Sequence, residues 1–318
     1  MLMIQSKNQK KIEQALIISR LYYIDEMSQS DIAKKLQISR PTISRLLQFA
    51  KENNIVEVKI HDPFQNVESI RKQLQAKYHL KDAIIGTQTN TNENNILKYL
   101  GQQTADYLDK IIRDNDIIGI SWGKTMEAIA NSLNDNFHKN IEIVQLKGSV
   151  TNSQESNYSS DITQKFSRAF HTQAEILPLP VIFDDVTTKN LVVKDRFINN
   201  VLEKGFNSNI AIYTVGTTLP TAMLFRLGYL DKEKIDHIKK VAVGDILSRF
   251  ITDDGMIADK ELDSRTVSIP LDNLKNKKYS ILIAGGRKKL ASIHAALMGG
   301  YPNVLITDLI TAKDLLNQ

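Results

Sequence analysis

SQSDIAKKLQISRPTISRLLQFAKEN, residues 28–53, reads as two short helices joined by a tight turn. Ile32, Ala33 and Leu36 recur at helical spacing in the first. The pattern breaks at Gln37-Ile38, and Ser39 is a good N-cap for a second helix. Pro41 falls in that helix's first turn, where a missing N–H costs nothing. Ile43, Leu46, Leu47 and Ala50 share an inward face, which leaves Arg40, Thr42, Ser44 and Arg45 outward at the leading end. Those are the residue types of a major-groove reader: guanidinium forks for guanine edges and phosphates, short hydroxyls for backbone oxygens. The plain alternative is a surface helical hairpin whose polar residues are only solvated. The small Ala33, the apolar residues flanking the turn and the SRPTISR run agree on the DNA reader. Gln37 stands where such a turn usually has Gly; a positive φ there would cost about 1 kcal/mol.

Working outward, residues 10–25 predict a helix with Ile12, Leu16, Ser19 and Tyr23 on one face, widened by Ala15, Ile17 and Leu21. It would complete a three-helix unit. Ile55–Ile60 alternates like a strand and could be the wing of a winged-helix variant. His61-Asp62-Pro63 punctuates the chain, and Phe64, Val67, Ile70, Leu74 and Tyr78 follow at helical spacing as a linker helix. The expected division is a helix-turn-helix DNA-binding domain over 1–60, a linker helix over 61–80 and a larger domain over 81–318.

The chain of 318 residues is long enough for one large core and a small one. Its net charge of +5 is uneven: residues 1–60 hold 10 Lys and Arg against 6 Asp and Glu, and the remainder 31 against 30. The basicity belongs to the helix-turn-helix end, as phosphate binding requires. With no Cys, disulfides, thiolate metal sites and Cys nucleophiles are excluded. The six His are scattered, so no metal or other cofactor is expected. No apolar run approaches the length of a bilayer span, and a bacterial cytoplasmic protein is expected.

From Ala83 the pattern changes. The short apolar runs 83–86, 117–121, 141–146, 210–216, 279–286 and 303–308 end in Gly, Ser or Asp and lead into helical patterns. Such runs predict an α/β domain with a mostly parallel sheet and helices on both faces. Ligands of such folds bind at the carboxyl ends of the strands. Ser121-Trp122-Gly123-Lys124-Thr125 ends one run and opens a helix at about 125–133, a natural phosphate cradle. Gly285-Gly286-Arg287-Lys288-Lys289 repeats the arrangement with added cations. Lys147, next to Gly148, ends a strand expected to be central. It is either a Lys with a task in the interior or one that snorkels to the rim. Asp245, in Val243-Gly244-Asp245, is a strand-end carboxylate for sugar hydroxyls or equally a turn or helix-cap residue.

The segments ISRPTISRLLQFAKE, GISWGKTM, EIVQLKGSV, LPLPVIFD, TVGT, LFRLGYL, AVGDILSRFI and ILIAGGRKKLASIHAAL together resemble the SorC family of bacterial regulators. The likeness runs in order over nearly the whole chain and is nearest to the family's deoxyribonucleoside regulators. It implies a helix-turn-helix domain and an effector domain resembling phosphosugar isomerases and glucosamine-6-phosphate deaminases. It also implies homo-oligomers, dimers or tetramers, that release operator DNA when a phosphosugar binds. By resemblance the effector pocket comprises Ser121, Gly123, Thr125, Lys147, Gly148, Asp245 and Lys289, and the expected function is repression of a deoxyribonucleoside operon relieved by deoxyribose 5-phosphate. That sugar exchanges only between furanose and open aldehyde, so a desolvated Lys147 could form a Schiff base with it. The alternatives are a SorC-type regulator of another sugar phosphate, or a sugar-phosphate isomerase or aldolase with an accessory domain. The helix-turn-helix, and the lack of a His or paired-carboxylate set near the strand ends, argue against an enzyme.

Overall fold

A computed structural model of the chain describes residues 2–57, 67–86, 92–150 and 158–318, with side chains from residue 9 onward. The chain separates into two compact units, residues 1–65 and 66–318.

In the first unit, α1 (Leu2–Tyr23) packs on α2 (Gln29–Leu36) and α3 (Arg40–Glu52). Ser28 and Ser39 cap α2 and α3 by accepting the N–H of Asp31 and Thr42. Gln37 closes α2 in the left-handed region, at φ 52°, and its N–H returns to Ala33 and Lys34 carbonyls. Ile43, Leu46, Leu47 and Ala50 are all buried against Ile32 and α1. The inward face of α1 differs from the expected one. Ala15, Ile18 and Leu21 are buried, whereas Ile12, Leu16, Ile17 and Tyr23 are exposed. The helix carries apolar residues on more than one side, and the side with small Ala15 packs inward. The strand expected at 55–60 is also absent over its described part. The Ile55 and Val56 N–H groups both donate to Ala50 O, using the backbone to finish α3, and both side chains pack on the three-helix core. Residues 58–60 lie outside the described residues, as do Phe64 and the His61-Asp62-Pro63 break.

The second unit is a six-stranded, all-parallel sheet of order β1-β8-β7-β4-β2-β3. Its strands are β1 (Asp82–Gly86), β2 (Ile117–Ile120), β3 (Glu142–Gln145), β4 (Ile210–Tyr213), β7 (Tyr279–Ile283) and β8 (Val304–Asp308). A separate antiparallel hairpin holds β5 (Gly244–Ile246) and β6 (Arg249–Ile251). The sheet strands are apolar on both faces and alternate between two cores. Ile118, Ile120, Ile210, Ile212, Ile281 and Ile283 face one, under α5 (Glu93–Ile111) and α6 (Lys124–Ala130). Ala211, Tyr213, Leu282 and Leu305 face the other, with helices Leu290–Met298 and Leu309–Leu316. The described part of the expected linker helix is α4 (Val67–Tyr78). Leu74 and Tyr78 are buried in that second core, with Val67 and Ile70 packed against it. Arg71 ties α4 to Asp82 of β1 at 3.1 Å.

The strand order places the site. After β2 the chain moves to β3 on one side; after β4 it moves to β7 on the other. The carboxyl ends of neighbouring β2 and β4 are therefore the switch point of the sheet, where doubly wound folds have their ligand crevice.

Candidate functional site

Four strand ends converge on that crevice. Ser121 follows β2 directly; it is buried, and its Oγ has no hydrogen-bond partner among the described residues. Gly123 lies at φ 125°, a conformation for which glycine is suited, with open space where a Cβ would stand. It opens α6, which has no side-chain cap at its N-terminus. Buried Thr125 presents its Oγ1 to Lys289 Nζ at 3.4 Å, and Thr214, just after β4, accepts from the same nitrogen at 3.1 Å. Lys289 is half-buried as a residue but its ammonium end is enclosed, and burial brings its pKa down to about 8.

Lys147 does not snorkel. It is buried, with Nζ 3.1 Å from Ser248 Oγ and 3.5 Å from the centre of the Trp122 ring. Desolvation lowers its pKa to about 8, against the opposing pull of Asp245. The Trp122 indole is fixed by its own N–H, which donates to Gly148 O at 2.8 Å. Gly148 is required by packing: an added Cβ would stand 2.6 Å from Leu179 O and 2.7 Å from Pro180 O.

Asp245 is not at the end of a sheet strand, as its sequence position suggests. It is the middle residue of β5 in the hairpin, pairing with Phe250. The reason is local: β5 turns back on β6 after three residues, so Val243-Gly244-Asp245 begins a hairpin rather than finishing a parallel strand. The hairpin still brings the carboxylate to the crevice, because Gly216 N donates to Asp245 O and an added Cβ on Gly216 would sit 1.9 Å from Asp245 Oδ1. Burial raises the Asp245 pKa, while Lys147, the Ser248 N–H and Lys289 act to lower it. Two enclosed lysines thus lie within electrostatic reach of one enclosed carboxylate, each hydrogen-bonding to hydroxyls rather than to the carboxylate itself.

The Gly285-Gly286 turn differs from the open cradle its sequence suggests. The Gly286 N–H already donates to Asp308 Oδ2 at 2.8 Å and to Thr311 Oγ1 at 2.9 Å. An internal carboxylate occupies the place an anion would take, and Lys289 is that turn's contribution to the crevice.

Sequence reasoning did not assign Trp122, Thr214 or Ser248. Trp122 is the chain's one tryptophan and stands inside the strand-end turn, which was a usable signal. Thr214 opens the TVGT segment after β4, which carried the family likeness but no assigned site residue. Ser248 lies within AVGDILSRFI, where only Asp245 was assigned, because a hairpin tip of Leu and Ser lacks the usual Asn-Gly signature. Among the described residues no His, Cys, Asp or Glu cluster could hold a metal, and no helix is long and apolar enough to cross a membrane.

On α3, Arg40, Ser44 and Arg45 are exposed, and neither guanidinium forms an ion pair among the described residues. Thr42 is half-buried, its Oγ1 2.8 Å from Ser39 Oγ within the cap.

Comparison with known proteins bears on both units. A family model described as a sugar-binding domain matches residues 62–317. The deoxyribonucleoside regulator of Bacillus subtilis (strain 168) is 44% identical over 313 residues, 98% of this chain and 99% of that protein. The sorbitol operon regulator of Klebsiella pneumoniae is 28% identical over 98% of this chain and 99% of its own length. The crystal structure of the full-length sorbitol operon regulator SorC from the same organism superposes with a TM-score of 0.72 at 28% identity, covering 96% of this chain and 99% of that one.

Proposed function

The chain belongs to the SorC family of transcriptional regulators, which carry a sugar-binding domain, and from that premise we propose that it represses a deoxyribonucleoside or deoxyribose operon and leaves its operator when deoxyribose 5-phosphate binds. The observation that carries the effector reading is the enclosed Lys147, linked to enclosed Asp245 through Ser248, at the switch-point crevice. The name of the 44% identical relative supports the operon assignment.

Deoxyribose 5-phosphate has its 5-oxygen esterified, so it cannot close to a pyranose and reaches the open aldehyde through the furanose. The neutral Lys147 amine adds to aldehyde C1, and the amine proton passes to the new oxygen. The resulting hydroxyl leaves as water, with a proton supplied by the Asp245 carboxyl, and a C=N bond to C1 remains. The raised pKa of Asp245 suits a proton donor. Ser121, Gly123, Thr125 and Lys289 hold the phosphate, with Gly148 fixing the Trp122 wall. Arg40 and Arg45 read base edges or phosphates, and Thr42 and Ser44 set α3 on the DNA backbone. A palindromic operator read by a homodimer, with two such elements for a tetramer, completes the reading.

One observation favours a second form of the same function. The Lys147 Nζ lies 3.5 Å from the Trp122 ring centre, a geometry that stabilises the ammonium. In that form Lys147 stays charged and donates to a closed sugar or its phosphate. Borohydride reduction in the presence of deoxyribose 5-phosphate, followed by mass spectrometry, separates the two. The Schiff base gives a stable adduct on Lys147 that Lys147→Ala abolishes. Binding without an adduct leaves the charged donor, and turnover of the sugar phosphate would instead indicate an enzyme.

A further inference from the structure

The tip of the β5–β6 hairpin is Leu247-Ser248, with φ of 50° and 69°. Two consecutive left-handed residues make the kind of turn that hairpins usually build from Asn-Gly. Among the described non-glycine residues with left-handed φ, only these two are buried. A Cβ in this region is unfavourable, and such backbone persists where surrounding contacts hold it.

The contacts differ between the two. Leu247 is 1% exposed and packs with Ile246 and Ile251 in the core, so its side chain is held by apolar burial. Ser248 has no such reward. Its N–H donates to Asp245 Oδ2 at 3.0 Å, but glycine would make that bond too, without strain. The bond that glycine cannot make is the one from Lys147 Nζ to Ser248 Oγ, 3.1 Å long between fully enclosed groups.

We propose that Ser248 is a positioning residue of the effector site: its hydroxyl aims the Lys147 amino group, and its N–H holds the Asp245 carboxylate beside it. One strained residue thereby sets the nucleophile and the acid relative to each other. Asp245 is the charged group acting on Lys147, and Lys289 acts in turn on Asp245. The consequence for adduct formation rests on the Schiff-base reading above, whereas the geometry of the pair does not.

The test uses the full chain and two variants. Ser248→Gly keeps the N–H and relieves the backbone, removing only the hydroxyl. Ser248→Asn tolerates left-handed φ and returns an accepting oxygen. The first readout needs no ligand: the pH dependence of Lys147 acetylation by acetic anhydride, followed by mass spectrometry. An accepting hydroxyl favours the ammonium, so Ser248→Gly moves the Lys147 midpoint down by about half a pH unit or more. Ser248→Asn restores it, and the thermal midpoint of Ser248→Gly does not fall. The second readout is borohydride trapping with deoxyribose 5-phosphate at about pH 9, above the midpoints, where the Lys147 amine is mostly neutral in all three proteins; there Ser248→Gly slows trapping on the order of tenfold. A shifted acetylation profile with no adduct even in the unsubstituted protein supports the role of Ser248 while the Schiff-base reading fails alone. Unchanged profiles with equal trapping in all three proteins overturn the role of Ser248 and leave the Schiff base standing.

Discussion

The two residues on which the proposed function turns are Lys147 and Arg45, and they sit in opposite environments. Lys147 is enclosed, and desolvation brings its pKa to about 8. Deprotonation of Lys147 produces the nucleophile, so adduct formation rises with pH toward about 8, and it declines once Asp245 has lost the proton it supplies; borohydride trapping across about pH 6–9 measures this. A profile still rising steeply well above pH 9 would mean an ordinary, solvated lysine. Arg45 is exposed on α3. If it forks to a guanine edge, Arg45→Ala costs about 1–3 kcal/mol and relaxes specificity at one base position. If Arg40 pairs only with a phosphate, Arg40→Ala weakens binding to all sequences alike and lowers the salt slope. Binding titrations on operator and scrambled DNA at matched salt distinguish the two. Equal affinities for both Ala variants and the unsubstituted protein would remove α3 from DNA reading.

At the scale of elements, the turn between α2 and α3 combines two strong Ser caps with a strained closing residue. Gln37 occupies the left-handed position at φ 52°, where Gly would avoid a cost of about 1 kcal/mol. Gly also loosens the unfolded chain, which takes back about half of that gain. Gln37→Gly therefore stabilises this unit by about 0.5 kcal/mol. Amide exchange at buried Ile43 and Leu47 should slow about twofold, and faster exchange would show that Gln37 contributes a contact of its own. The hairpin of β5 and β6 shows the opposite balance. There left-handed residues are buried, and side-chain contacts to the core and to Lys147 hold them.

At the scale of the whole molecule, the proposal is a coupling free energy between an operator site and an effector site. Its size is not fixed by any single contact, but its symmetry is. If deoxyribose 5-phosphate weakens operator binding by some factor, operator DNA must weaken effector binding by the same factor. Titrating effector with and without saturating operator, at one salt concentration, measures this. Equal effector affinities in the two titrations would exclude repression relieved by that ligand.

Local pattern determined much of this protein. Cap residues, the Gln37 break and the spacing of Ile43, Leu46, Leu47 and Ala50 were legible because short-range hydrogen bonds and the 3.6-residue period act within a few positions. The six parallel strands were legible for a similar reason: strands buried on both faces read as continuous apolar runs. Three things were decided only by tertiary packing. Which side of α1 faces inward depended on the surface α2 and α3 present, since several sides of α1 are apolar. Over its described part the backbone after α3 became a cap rather than a strand, because Ile55 and Val56 pack on the three-helix core and hold their N–H groups on Ala50 O. Asp245 and Ser248 reached Lys147 through a hairpin with no turn signature in its sequence, about a hundred residues away along the chain. A sequence states which groups can pair over short range; closing a contact across that separation is set by how the strands are ordered in space.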